Sequence, residues 1–209
     1  MGLRPRAQTN LRSGLQVEQK TFIRIPKDRV GALIGPSGKT KRRIETTYKV
    51  DLEIDSDAGN VQITLSPEQE DVSVLFSARN IIKAIGRGFT PNKAFSLLNE
   101  DYDLLIIDLE EYVGRSKNAQ SRVKGRIIGK DGKSRALIEE LTECLLSIYG
   151  STVGIIGPFD RTPVAKEAIE MLIDGSFHKT VWNYLYAYRR KLKKERGKIW
   201  YEPVEKKGE

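Results

Sequence analysis

Arg126-Ile-Ile-Gly-Lys-Asp-Gly-Lys-Ser-Arg-Ala-Leu-Ile-Glu139 runs an apolar pair, two glycines separated by two residues, and a basic amphipathic segment together without a break. Leu33-Ile-Gly-Pro-Ser-Gly-Lys-Thr-Lys-Arg-Arg-Ile-Glu45 has the same form earlier in the chain. The two stretches share one offset: Gly35 and Gly129, Gly38 and Gly132, Lys39 and Lys133, Ile44 and Ile138, and Glu45 and Glu139 all stand 94 positions apart. Outward from the glycines the offset persists. Leu33-Ile34 answers Ile127-Ile128 upstream, and the alternating set Val50, Leu52, Ile54 answers Cys144, Leu146, Ile148 downstream. A spacing that aligns a helix end, a turn, a helix and a strand marks an internal repeat.

Each repeat then resolves into elements. In the first, Thr21 to Pro26 is a strand that Pro26 ends, and Asp28 is placed to cap a short helix through Ile34. A tight turn at Gly35 to Gly38 leads into a second helix. Residues 51–55 and 60–65 alternate polar with apolar at period two around the turn Ser56-Asp-Ala-Gly59, as a hairpin does. After Pro67, Val72, Leu75, Ile82 and Ile85 trace one face of a long helix ending at Gly86. In the second repeat Tyr102 to Leu109 is a strand, Ser116 to Ile128 and Lys133 to Thr142 are helices, and Cys144 to Tyr149 and Thr152 to Ile156 form a hairpin. Asp160 or Thr162 caps a last helix that buries Val164, Ala168, Ile169, Leu172 and Ile173. The expected organisation is a flexible basic arm (1–19), a first module (20–87), a short apolar connector helix (88–100) able to dock, a second module (101–176), and a basic C-terminal helix and tail (177–209).

Composition narrows the function. The 209 residues carry a net charge of +8 with 39% hydrophobic residues, so the chain buries a core and favours an anionic partner. No apolar run approaches the roughly 20 residues of a membrane span, and the N-terminus lacks the apolar stretch of a signal peptide, so a cytoplasmic protein without membrane contact is expected. A single cysteine, Cys144, and a single histidine, His178, exclude an internal disulfide and a Cys/His metal cluster; burial and packing are their expected roles, and no third group orients them as a nucleophilic pair. Seven cations crowd Arg189 to Lys198 against one acid, Glu195.

A glycine turn that opens a helix offers unpaired backbone N–H groups at the positive end of the helix dipole, and glycine lets the chain approach a phosphate without a Cβ in the way. Lys39, Lys41, Arg42 and Arg43 follow the first turn, and Lys133 and Arg135 the second, where the dipole disfavours cations. A bound anion removes that conflict.

One glycine-x-x-glycine is an ordinary turn; two, each between an apolar pair and a basic helix followed by two strands, are not. Here the sequence resembles the KH family, in which an Ile-Gly-x-x-Gly turn joins two helices and clamps about four nucleotides of single-stranded RNA. The resemblance covers about residues 20 to 178. It implies an α+β fold with two type I KH domains in tandem (βααββα), each a three-stranded antiparallel sheet on three helices, plus a C-terminal helix. It places RNA against Ile34, Gly35, Pro36, Ser37, Gly38, Lys39, Lys41 and Arg42 in the first domain, and against Lys124, Arg126, Ile128, Gly129, Lys130, Asp131, Gly132, Lys133 and Arg135 in the second. Bases would lie near Leu52 to Ile54 or Leu146 to Ile148, unless those aliphatics are simply core. The chain departs from the family at Lys41 and Arg135, where many KH domains have an aliphatic, at Pro36, which has no N–H, and at Asp131, which adds negative charge.

Gly125 to Arg135, Ile155-Ile-Gly157, Phe177-His-Lys-Thr-Val-Trp182 and the connector Gly88-Phe-Thr-Pro-Asn-Lys-Ala94 are similar to a narrower group, the archaeal and eukaryotic Dim/Krr-type KH proteins, also called partner-of-Nob. That likeness implies a monomeric, non-enzymatic, cofactor-free factor. It would bind near the 3′ end of small-subunit ribosomal RNA and meet the endonuclease that trims this end and other assembly factors. In the tail, Tyr184, Tyr186 and Trp200 could stack on bases, with burial expected for Tyr186, while Arg4, Arg6 and Arg12 could reach phosphates. Two other classes compete: a KH-fold scaffold with weak RNA affinity, and a metal-dependent ribonuclease using Asp55 and Asp57, or Asp108, Glu110 and Glu111.

Overall fold

The computed structural model describes residues 19–199; Arg4, Arg6, Arg12 and Trp200 lie outside the described residues. The first repeat is β1 (Lys20–Arg24), α1 (Lys27–Ile34), a single 3-10 turn at Pro36–Gly38, α2 (Lys39–Tyr48), β2 (Val50–Asp55), β3 (Asn60–Leu65) and α3 (Ser73–Gly86). A connector of α4 (Pro91–Ala94) and a 3-10 turn (Phe95–Leu98) leads to β4 (Tyr102–Asp108), α5 (Leu109–Val113) and α6 (Lys117–Ile128). The second 3-10 turn (Lys130–Gly132), α7 (Lys133–Thr142), β5 (Leu145–Tyr149), β6 (Thr152–Pro158), α8 (Thr162–Ile173) and α9 (His178–Ile199) complete the chain. Both sheets are three-stranded and antiparallel, in the orders β1-β3-β2 and β4-β6-β5. This is the tandem α+β architecture with a C-terminal helix that the KH resemblance implied.

The period-two pattern sets which face of the first sheet is buried. Val61 and Ile63 of β3, with Val50 and Leu52 of β2, are buried under α1, α2 and α3 and meet Leu33, Ile44, Ile81, Ile82 and Ile85. The alternate residues face solvent: Phe22 pairs in register with Gln62 and Gln62 with Glu53, and Phe22 is 59% exposed. The second sheet has no such open face. From Thr152 to Gly157 every residue of β6 is buried, because one side packs on the second core and the other takes the connector. Phe89 fills the space that Gly154 leaves: a Cβ there would stand 2.6 Å from the Phe89 ring. Ile156 belongs to the first repeat's core, with Tyr102, Leu104 and Leu145 packed against it. The Ser147 hydroxyl donates to the carbonyl of Arg87 at 2.9 Å, and the Tyr149 hydroxyl donates to the Asp28 carboxylate. The docked connector thus makes the second sheet a wall shared by both repeats.

Several local expectations change. Asp28 lies in the first turn of α1 rather than capping it, and the cap position is Pro26. α8 begins after Arg161 without a side-chain cap, so neither Asp160 nor Thr162 serves. Leu109 opens α5 instead of ending β4, because Asp108 accepts from the Glu110 N–H at 3.0 Å and starts a helix. Val72 precedes α3 and is 38% exposed, off its buried face. Cys144 sits one residue before β5, buried against Gly157. Tyr186 is 46% exposed on α9 rather than buried.

Candidate nucleic-acid interface

The two glycine turns have matching backbones. Gly35, Ser37 and Gly38 have φ of 71°, 50° and 73°, and Gly129, Asp131 and Gly132 have 73°, 54° and 74°. The glycines do different work. A Cβ on Gly35 would stand 2.2 Å from Thr40 Oγ1, and one on Gly129 would stand 2.2 Å from Ser134 Oγ, so the first glycine of each turn lets the buried hydroxyl of the next helix close on it. Gly132 has nothing within 4 Å and Gly38 only Arg42 Nε at 4.0 Å, so the second glycine supplies left-handed backbone and an open approach. No side chain caps α2 or α7. The N–H groups of Lys39 and Lys133 bond back to the carbonyls of Pro36 and Lys130, and the later N–H groups of each first turn carry no side-chain cap.

The site cations divide into two groups. Lys39, Arg42, Lys130 and Lys133 are exposed beside the turns, and among the described residues none has a carboxylate within ion-pair distance; Arg42 donates to the Ser37 carbonyl. The others are engaged. Lys41 pairs with Glu45 at 3.6 Å, and Arg135 reaches Glu139 at 3.4 Å and donates to the Leu146 carbonyl at 2.7 Å. Lys124 donates to the Gly150 carbonyl at 3.0 Å. Arg126 donates to the carbonyls of Leu172 and Ser176 at 3.0 and 2.5 Å, at the carbonyl end of α8, where a cation also suits the dipole. Sequence reasoning missed its counterpart Arg29, which donates to Ile85 and Phe89 at 2.9 and 2.7 Å at the end of α3; Arg29 lies off the repeat offset and gave no signal.

Each turn stands between two helices, and the edge strand β2 or β5 follows the second of them in the chain. Leu52 and Leu146 are core, 2% and 0% exposed, which settles them as packing residues. Ile34, Ile54 and Ile148 are partly buried and Ile128 is 37% exposed, so these aliphatics are not wholly taken up by the cores.

Several acids outside the turns make local contacts. Asp55 accepts the N–H groups of Asp57 and Ala58 at 2.9 and 3.0 Å in the β2–β3 turn, and Glu110 pairs with Arg115 at 3.5 Å. Among the described residues no three His, Cys, Asp or Glu side chains gather as metal ligands. Burial pushes the Cys144 thiol up to about 11. His178 Nε2 lies 3.0 Å from the Arg126 carbonyl, in a different environment from Cys144. No helix among the described residues is long and apolar enough to cross a membrane.

Residues 20–75 match the KH domain family, and residues 103–190 match a eukaryotic-type KH domain of type I. The chain is 46% identical over 179 residues to a KH domain-containing protein of Methanocaldococcus jannaschii, covering 86% of this chain and 78% of that one. It is 26% identical over 193 residues to the pre-rRNA-processing protein PNO1 of Candida albicans, covering 91% and 70%. Among solved structures it is similar to the Dim2p structure in the a/eIF2alpha-aDim2p-rRNA complex of Pyrococcus horikoshii, with 44% identity, a TM-score of 0.79, and 85% and 97% of the two chains covered.

Proposed function

The chain belongs to the PNO1/Dim2 family of tandem KH proteins, and from that premise we propose that its two glycine turns hold the 3′ region of small-subunit ribosomal RNA. It is an RNA-binding protein of ribosome biogenesis. The observation that carries the site assignment is the repetition itself: two turns of one backbone shape, each opening an uncapped helix and flanked by exposed lysines that have no carboxylate partner among the described residues. Phosphates seat at Gly35–Gly38 with Lys39 and Arg42, and at Gly129–Gly132 with Lys130 and Lys133. Bases lie in the grooves lined by Ile34 and Ile128. Lys41, Lys124, Arg126 and Arg135 shape the groove walls and add positive potential.

Such a site binds and positions a strand and does no bond-breaking chemistry. The protein acts as a cytoplasmic, cofactor-free monomer that holds the RNA end for the endonuclease that trims it, in company with other assembly factors. Photocrosslinking the purified protein to intact small-subunit ribosomal RNA tests the target. Crosslinks concentrated at the 3′ end support it, and crosslinks scattered along the molecule contradict it. RNA cleavage in the presence of Mg²⁺ or Mn²⁺ that Asp55→Asn or Asp108→Asn abolishes would overturn the non-enzymatic role.

A further inference from the structure

On the flank of the second turn that faces away from the edge strand β5 lies a hollow of about 530 Å³, lined by Arg122, Gly125, Lys130, Lys133, His178 and Trp182 among others. That volume falls in the range of small-molecule sites, about 300–1,000 Å³. We propose that this hollow seats a further nucleotide of the bound RNA, its base against the Trp182 ring and its phosphate among Arg122, Lys130 and Lys133. The inference rests on the RNA-binding reading and adds a contact outside the groove.

Three observations carry it. Arg122, Lys130 and Lys133 are exposed, converge on one concavity, and have no carboxylate partner among the described residues. Trp182 is only partly buried, with its ring centroid 5.6 Å from that of His178, and His178 is tethered to the Arg126 carbonyl at 3.0 Å. Aromatic rings beside cations are what sequence-tolerant single-strand binding uses. Gly125 of α6 borders the hollow and is exposed, and a Cβ there would meet nothing within 4 Å, so this part of the wall is open to a ligand.

The first repeat lacks this chemistry. The positions matched by the repeat offset to Arg122 and Lys130 are Asp28 and Pro36, and Asp28 is bonded by the Tyr149 hydroxyl. The counterpart of Leu137, Arg43, lies 4.0 Å over the Phe95 ring of the connector. One repeat carries the hollow and the other does not.

Gly125→Gln fills the hollow from an exposed helix position, and the full chain carrying Trp200→Phe leaves Trp182 as the sole tryptophan reporter. Randomised single-stranded RNAs of four and of twelve nucleotides separate the groove, which takes about four, from a longer path. The expected result is that the twelve-mer quenches Trp182 fluorescence, and that Gly125→Gln weakens its binding about fivefold or more while four-mer binding stays within about twofold. Equal twelve-mer affinity in variant and parent, or an equal loss for both lengths, overturns the hollow as a separate seat and leaves the groove standing. If the parent binds neither RNA, the RNA-binding reading falls and the hollow with it.

Discussion

Glu139 accepts the main-chain N–H of Leu146 at 2.8 Å, so a carboxylate from α7 closes the edge strand of the second sheet. The same bond joins Glu45 to Leu52 at 3.1 Å, at the repeat offset. In the second repeat Glu139 also lies 3.4 Å from Arg135 and 3.9 Å from Lys93 of the connector. Replacing Glu139 with Ala leaves the partly buried Leu146 N–H without its acceptor and takes a carboxylate partner from Arg135, and should cost about 1–3 kcal/mol. Urea unfolding measures this as a lower midpoint at unchanged slope; Glu45→Ala should cost less, because its bond is longer and it serves fewer partners.

Within each turn the two glycines should separate in mutagenesis. Gly129→Ala and Gly35→Ala drive a Cβ into a buried hydroxyl at 2.2 Å and also strain a left-handed backbone, so each should destabilise by about 3 kcal/mol or more. Gly132→Ala meets no neighbour and bears only the left-handed penalty of about 1–2 kcal/mol. Thermal melts of the three variants decide it; equal losses at Gly129 and Gly132 would contradict the assignment of packing to the first glycine alone.

The shared wall at β6 should make the two repeats unfold together. Phe89 is 1% exposed and lies on Gly154 of the other repeat. Phe89→Ala should cost about 3–5 kcal/mol and split one calorimetric transition into two. A parent that already melts in two steps would show the docking to be energetically minor.

Stability should also fall in alkali. Burial raises the Cys144 thiol from about 9 to about 11, so protonation favours the fold below pH 9 and that contribution is lost as pH climbs through 11. Tyr112 moves in the same direction, to about 12, through its bond to Glu170 at 2.5 Å. The melting midpoint should decline above pH 9, and Cys144→Ala should decline less steeply between pH 9 and 11. At neutral pH the native thiol should resist alkylation.

The repeat was legible because it is written in glycines and alternating aliphatics, the residues that dictate backbone and burial. From it came the order of elements, the hairpins and the position of the turns, while the pairing of a third strand into each sheet was implied by the KH resemblance. Long-range relationships were less visible. Nothing local to Arg126 says that its guanidinium will end α8 instead of facing solvent, since the acceptors lie 46 and 50 residues away. Asp28 looked like a cap because acids at helix starts often are, but the second repeat's Tyr149 engages it instead. Glu45 and Glu139 did carry a usable signal, since both they and their partners Leu52 and Leu146 obey the repeat offset.

If both turns hold RNA phosphates, affinity for a twelve-nucleotide single strand must depend on salt through their lysines. Lys39→Asp combined with Lys130→Asp should weaken binding about 100-fold near 0.1 M salt and flatten the log–log salt slope by about 0.7 per lysine removed, with the melting midpoint almost unmoved. An unchanged affinity and slope in a folded double variant would mean that the turns do not hold the phosphates.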